Sequence, residues 1–233
     1  MNTFSIYEFL AYLLPGFGAL YALNSLFNLL GFSDLIQLGA SFELSILNLG
    51  LALFLGLLIH ALSMELKNGK NTFWLAKCYR THLHQNASMF ILKDDGLTFV
   101  TQEILSFWET CEPKRSFLTE QGAPNYGKLF SFAYYYLHNQ NKITHTRSFQ
   151  SVLFLVQNLF TLVLLFIIMF AITQGVLFFT YQVFQPVLLA IVIISCVCLV
   201  IVLPLLANRY REKMIRSLFS AYYTDLMHLQ IKK

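Results

Sequence analysis

The stretch EFLAYLLPGFGALYALNSLFNLLGF, residues 8–32, is apolar from Phe9 onward except at Asn24, Ser25 and Asn28. Its length suits a helix crossing a bilayer, which takes about 20 residues for about 30 Å of hydrocarbon. It does not read as a cleaved secretion signal. The residues before it carry no Lys or Arg, Glu8 is an acid, and no small-residue cleavage site follows. The run also outlasts the usual signal core of about 7–15 residues. Within it, Pro15 lacks a backbone donor and presses on the carbonyl of Ala11, so Pro15 and Gly16 form a candidate kink. Two arrangements satisfy that chemistry. Either residues 4–14 lie along the inner membrane surface and 16–32 cross, or one long kinked helix crosses. Gly18 and Ala22, a small-xxx-small pair, permit close helix approach beyond the bend. The bend reads as static packing rather than a hinge.

The rest of the chain repeats the pattern. Of 233 residues, 57% are hydrophobic and only 12% charged, about half the charge of a soluble domain. Mean hydropathy is +0.59. Beyond the first span, about 10–31, three more runs reach bilayer length: LSILNLGLALFLGLLIHALSM at about 44–64, SVLFLVQNLFTLVLLFIIMFAIT at about 151–173, and PVLLAIVIISCVCLVIVLPLLA at about 186–207. Pro186 suits a first helical turn. The sequence therefore predicts an all-α, polytopic integral membrane protein with four transmembrane helices. Its parts are a transmembrane hairpin over 1–64, a cytoplasmic helical domain over 65–149, a second hairpin over 150–207 and a cytoplasmic C-terminal helix over 208–233.

Charge sets the expected orientation. All 16 Lys and Arg lie either between spans two and three or after span four. Loops 32–43 and 174–185 hold none. The positive-inside rule places the middle segment and both termini in the cytoplasm. The outer loop QGVLFFTYQVFQ is short and aromatic, as an interfacial belt closing a hairpin would be. The four cysteines form no C-x-x-C pair, so no disulfide framework is expected.

In the middle segment, NTFWLAKCYRTHLHQNASMFIL and LTFVTQEILSFWETC carry apolar residues at helical spacing. Asp94-Asp95-Gly96 is a turn signal, GAPNYG a loop, and KLFSFAYYYLHN a third, aromatic helix. THTRSFQ leads into span three. In the C-terminal helix, Ile215, Leu218, Phe219, Tyr222, Tyr223 and Leu226 form a stripe. It is expected to pack on the middle segment or on a neighbouring subunit.

Polar groups inside the spans are the candidate functional residues, because hydrocarbon makes them costly. His60 lies about one turn inside the cytoplasmic end of span two, and Gln157 and Asn158 about two turns inside span three. Thr161 shares a face with Gln157. Together they read as a polar lining for a pore or a proton-sensitive gate, or as interhelical hydrogen bonds that fix packing. Cys78, His82 and His84 cluster in CYRTHLH, but only two of them share a helical face and structural zinc takes four ligands. No metal and no other cofactor is expected. Arg209, Arg211, Lys213 and Arg216 form a juxtamembrane basic cluster suited to anionic lipid. Acids on the same side dilute the field, so direct nucleic-acid binding is not expected. No phosphate-binding loop, nucleophile elbow or H-E-x-x-H motif occurs, and the chain reads as non-enzymatic.

The opening YEFLAYLLPGFGALY and the order of spans resemble small multi-spanning bacterial membrane proteins of antiviral defence systems. Examples are the membrane subunit of the Kiwa system and four-span accessory proteins of RNA-targeting CRISPR loci. The resemblance carries over no functional residue. It implies a homo-oligomer, surrounded by membrane lipids, that senses envelope disturbance or perturbs the membrane alongside a cytosolic partner. A small housekeeping channel or transporter is the alternative.

Overall fold

A computed structural model describes residues 6–32, 42–68, 90–111, 117–119, 123–182 and 186–231. Among them are six helices: α1 (Ile6–Leu29), α2 (Phe42–Asn68), α3 (Asp95–Cys111), α4 (Tyr126–Asn139), α5 (Thr144–Tyr181) and α6 (Pro186–Ile231). The described residues form no strand; Leu118 and Pro124 make an isolated β-bridge. Helices α1, α2, α5 and α6 are long and apolar enough to cross a membrane.

Two compact units partition the chain. One comprises Met1–Leu83 and Ser151–Ala207, the other His84–Gln150 and Asn208–Lys233. The division falls inside α5 and α6, so each of those helices belongs partly to both units.

Local sequence explains the helix ends. Asp94 Oδ1 accepts from the Gly96 and Leu97 amides at 3.1 and 3.3 Å and so caps α3. Asn125 caps α4 by accepting from the Lys128 amide at 3.0 Å. Asn141 then takes the left-handed conformation, φ 57°, that ends α4. Gly31, at φ 85°, does the same after α1.

Of the two arrangements for the first span, the continuous helix is the one observed: α1 runs from Ile6 unbroken through Pro15. Two expectations change. The sequence 174–181, expected as part of an outer loop, is helical, and α5 spans 38 residues rather than the 23 of 151–173. The fourth span and the C-terminal segment, expected as two helices, are one helix of 46 residues through Pro204. The physical reason is a missing stop: no glycine occurs from Pro186 to the last residue, and Pro204 alone does not end the helix. At about 1.5 Å per residue, α5 is about 57 Å long and α6 about 69 Å, well beyond a bilayer's hydrocarbon.

In the first unit, α1 and α2 meet backbone to backbone. A Cβ on Gly16 would lie 1.6 Å from the Ala52 carbonyl oxygen, and one on Gly56 would lie 2.0 Å from that of Tyr12. Two glycines from different helices thus seat each other. Gly18 instead faces the Leu162 side chain of α5, where a Cβ would come within 2.8 Å. The tightest approach is therefore at Gly16, beside the proline, rather than at the Gly18–Ala22 pair.

In the second unit, the α6 stripe joins the core. Ile215, Leu218, Phe219, Tyr222 and Leu226 are buried in one cluster with Ile104, Leu129, Ala133 and Leu137. The stripe thus packs on the middle segment of its own chain. Aromatic edges organise this core: Trp108 meets Phe132 at 5.2 Å and Tyr136 meets Tyr222 at 5.1 Å. Trp108 Nε1 donates to the Tyr222 hydroxyl at 2.7 Å. Lys142 pairs with Asp225, and Tyr134 donates to Gln150 at 3.0 Å. The first expected helix of the middle segment falls at 71–89, outside the described residues.

Candidate functional site

The polar junction in the first unit grows out of Pro15. In a regular helix the amide of residue 15 would donate to the carbonyl of Ala11; proline has no such donor. In a span, water is not at hand to replace it, so a neighbouring helix must supply the bond. Asn158 of α5 does so: its Nδ2 donates to the Ala11 carbonyl at 3.0 Å. Its Oδ1 lies 3.2 Å from Nδ1 of His60 on α2. Because that amide oxygen only accepts, His60 Nδ1 carries the hydrogen. The imidazole is held edge-on against Tyr12, with ring centroids 4.9 Å apart, and against Phe154 at 5.4 Å.

One fully buried side chain therefore ties three helices together. Its amide satisfies α1 and its carbonyl fixes the His60 ring of α2, with Tyr12 and Phe154 holding that ring from the sides. The arrangement orients a protonatable ring, yet both Asn158 groups are occupied in joining helices.

The other candidate residues divide. Gln157 and Thr161 are buried, but the Thr161 hydroxyl donates to the Gln157 backbone carbonyl at 3.1 Å, along its own helix. His60 and Asn158 are brought together; Thr161 turns back on the backbone of α5. Asn48 is buried on α2. Sequence reasoning missed Gln174: its Nε2 and Oε1 are both buried with no hydrogen-bond partner among the described residues. Reading 174–185 as loop hid it, although a glutamine set between the apolar stretches 162–172 and 176–179 was the available signal.

In the second unit, the basic cluster is not one surface. Arg209 is exposed, and Lys213 is exposed with Nζ 5.6 Å from the Tyr210 ring centroid. Arg211 is buried. Arg216 pairs with Asp94 and lies 3.3 Å from Glu212 Oε1. Arg209 and Lys213 make no ion pair among the described residues.

Cys78, His82 and His84 lie outside the described residues. Among the described ones, no group of three or more His, Cys, Asp or Glu is placed to hold a metal ion. Compared with protein-family models, with curated proteins and with solved structures, the chain matches none.

Proposed function

We propose that this chain is a non-enzymatic, multi-pass inner-membrane protein acting as a sensor or membrane-perturbing effector of a bacterial antiviral defence system. In this reading it forms homo-oligomers, keeps both termini in the cytoplasm and engages a cytosolic partner through its helical second unit. The observation that carries the reading is the continuity of α5 and α6. Each is an unbroken helix that starts or ends in one unit and continues in the other. A rearrangement in the apolar unit can bias the second unit along such continuous elements.

The Asn158 junction favours this reading over a housekeeping channel. A pore lining presents polar groups to water, whereas Asn158 uses both of its groups to join helices. The resemblance of the opening residues to defence-system membrane proteins supplies the antiviral part.

The test is phage challenge of cells expressing the chain with its neighbouring genes, with a membrane-potential dye recorded alongside. Intact chain should protect. Inserting three glycines after Ala207 should abolish protection while membrane insertion persists. Protection undiminished by the insertion would refute the coupling. Steady solute flux without infection would favour the channel.

A further inference from the structure

Helices α1, α2 and α5 leave a cavity of about 290 Å³ between them. Its lining includes Ala19, Ala22 and Leu23 of α1, Leu58 of α2, and Leu162 and Met169 of α5; every side chain around it is apolar. Its rim includes Leu58, Leu62 and Met169, which are exposed. The cavity therefore opens onto the outward apolar surface of these helices.

Physical chemistry narrows what fills it. A polar ligand would find no hydrogen-bond partner in the wall. Water is poorly held in an apolar cavity for the same reason. Left empty, the lining would forfeit dispersion contacts. What fits is narrow, flexible and wholly apolar. At about 30 Å³ per water-sized unit, the volume accepts about ten such units.

We propose that this cavity is a binding site for one fatty-acyl chain of a membrane phospholipid. The proposal rests on the chain lying in a bilayer. It does not rest on the sensor or defence reading.

The experiment uses full-length protein reconstituted in vesicles of phosphatidylethanolamine and phosphatidylglycerol carrying a diazirine on the acyl chain. After illumination, adducts are mapped by mass spectrometry. Adducts at Leu23, Leu58 and Met169 should exceed those at Val187 and Ile194 several-fold. Those two residues are exposed and apolar but lie outside the cavity. Ala22→Phe should lower the cavity adducts several-fold and leave those at Ile194 unchanged. Should Ala22→Phe aggregate, Leu58→Trp at the exposed rim provides the same arm. Equal labelling of cavity and outer surface, or cavity residues left unlabelled while Val187 and Ile194 are labelled, overturns the proposal. Alkaline carbonate extraction of the same vesicles separates the two failures. A chain released by carbonate was never embedded, and the membrane reading falls too. A chain that stays embedded but labels uniformly refutes the acyl site alone.

Discussion

Pro15 cannot donate to the Ala11 carbonyl, and Asn158 Nδ2 makes that bond instead, at 3.0 Å. Asn158→Leu would strand a buried carbonyl and remove the acceptor of His60 Nδ1. A stranded buried group costs about 1–3 kcal/mol, so thermal unfolding in detergent should show a loss of that size. Pro15→Ala restores the intrahelical donor, so the Asn158→Leu loss should shrink in that background. Equal losses in both backgrounds would show that the two residues are not linked. Glycine gives a second residue-scale contrast. Gly50 has open space where a Cβ would go, so Gly50→Ala should stabilise by up to about 1 kcal/mol through helix propensity. Gly56→Ala places a Cβ 2.0 Å from the Tyr12 carbonyl oxygen, and steric overlap should outweigh the same propensity gain. Melting temperatures of the two variants should move in opposite directions.

Among the elements, α3, α4 and α6 are held by polar atoms set within an aromatic core. Tyr222→Phe removes the 2.7 Å bond from Trp108 and should cost about 1 kcal/mol, read by denaturant or thermal unfolding. Tyr136 sits beside this bond. Burial pushes its phenol above the ordinary value; a hydrogen bond from Gln140 opposes this, and the Asp225 carboxylate adds to the rise. A group raised in the folded state contributes stability that is whole below the unfolded value of about 10. That contribution fades as pH climbs past it. Near-ultraviolet dichroism should therefore show the second unit weakening above about pH 10. Tyr136→Phe should make that decline shallower; an unchanged profile would assign the alkaline loss to other groups. Element ends also show how far the sequence could be read. Helix starts at Asp94 and Asn125 were signalled by turn residues. The end of α5 was not, because Gln174-Gly175 looks like the start of a loop, yet the helix runs on through both to Tyr181.

At the scale of the whole molecule, the four apolar helices were legible because bilayer length is a composition signal. The meeting of His60 with Asn158 was legible from their similar depths. Their third partner was not, because it is a backbone oxygen with no letter of its own. Its trace was the proline four residues later, which implies an orphaned carbonyl and therefore a donor on another helix. Charge makes the remaining prediction at this scale. With all 16 basic residues on one side of the expected topology, fluorescent fusions at residue 120 and at the C-terminus should glow in the cytoplasm. An alkaline phosphatase fusion at residue 40 should be active outside. Phosphatase activity at residue 120 would invert the orientation.

Pro204 gives α6 a mechanical character. A glycine-free helix of 46 residues resists bending almost everywhere, because each rung of its hydrogen-bond ladder must stretch. At Pro204 one rung is absent, the one that would close on the Val200 carbonyl. The helix is therefore softest there, inside the first unit, three residues before that unit ends at Ala207. Within the apolar unit, a sideways load on α6 is therefore taken up first at Pro204.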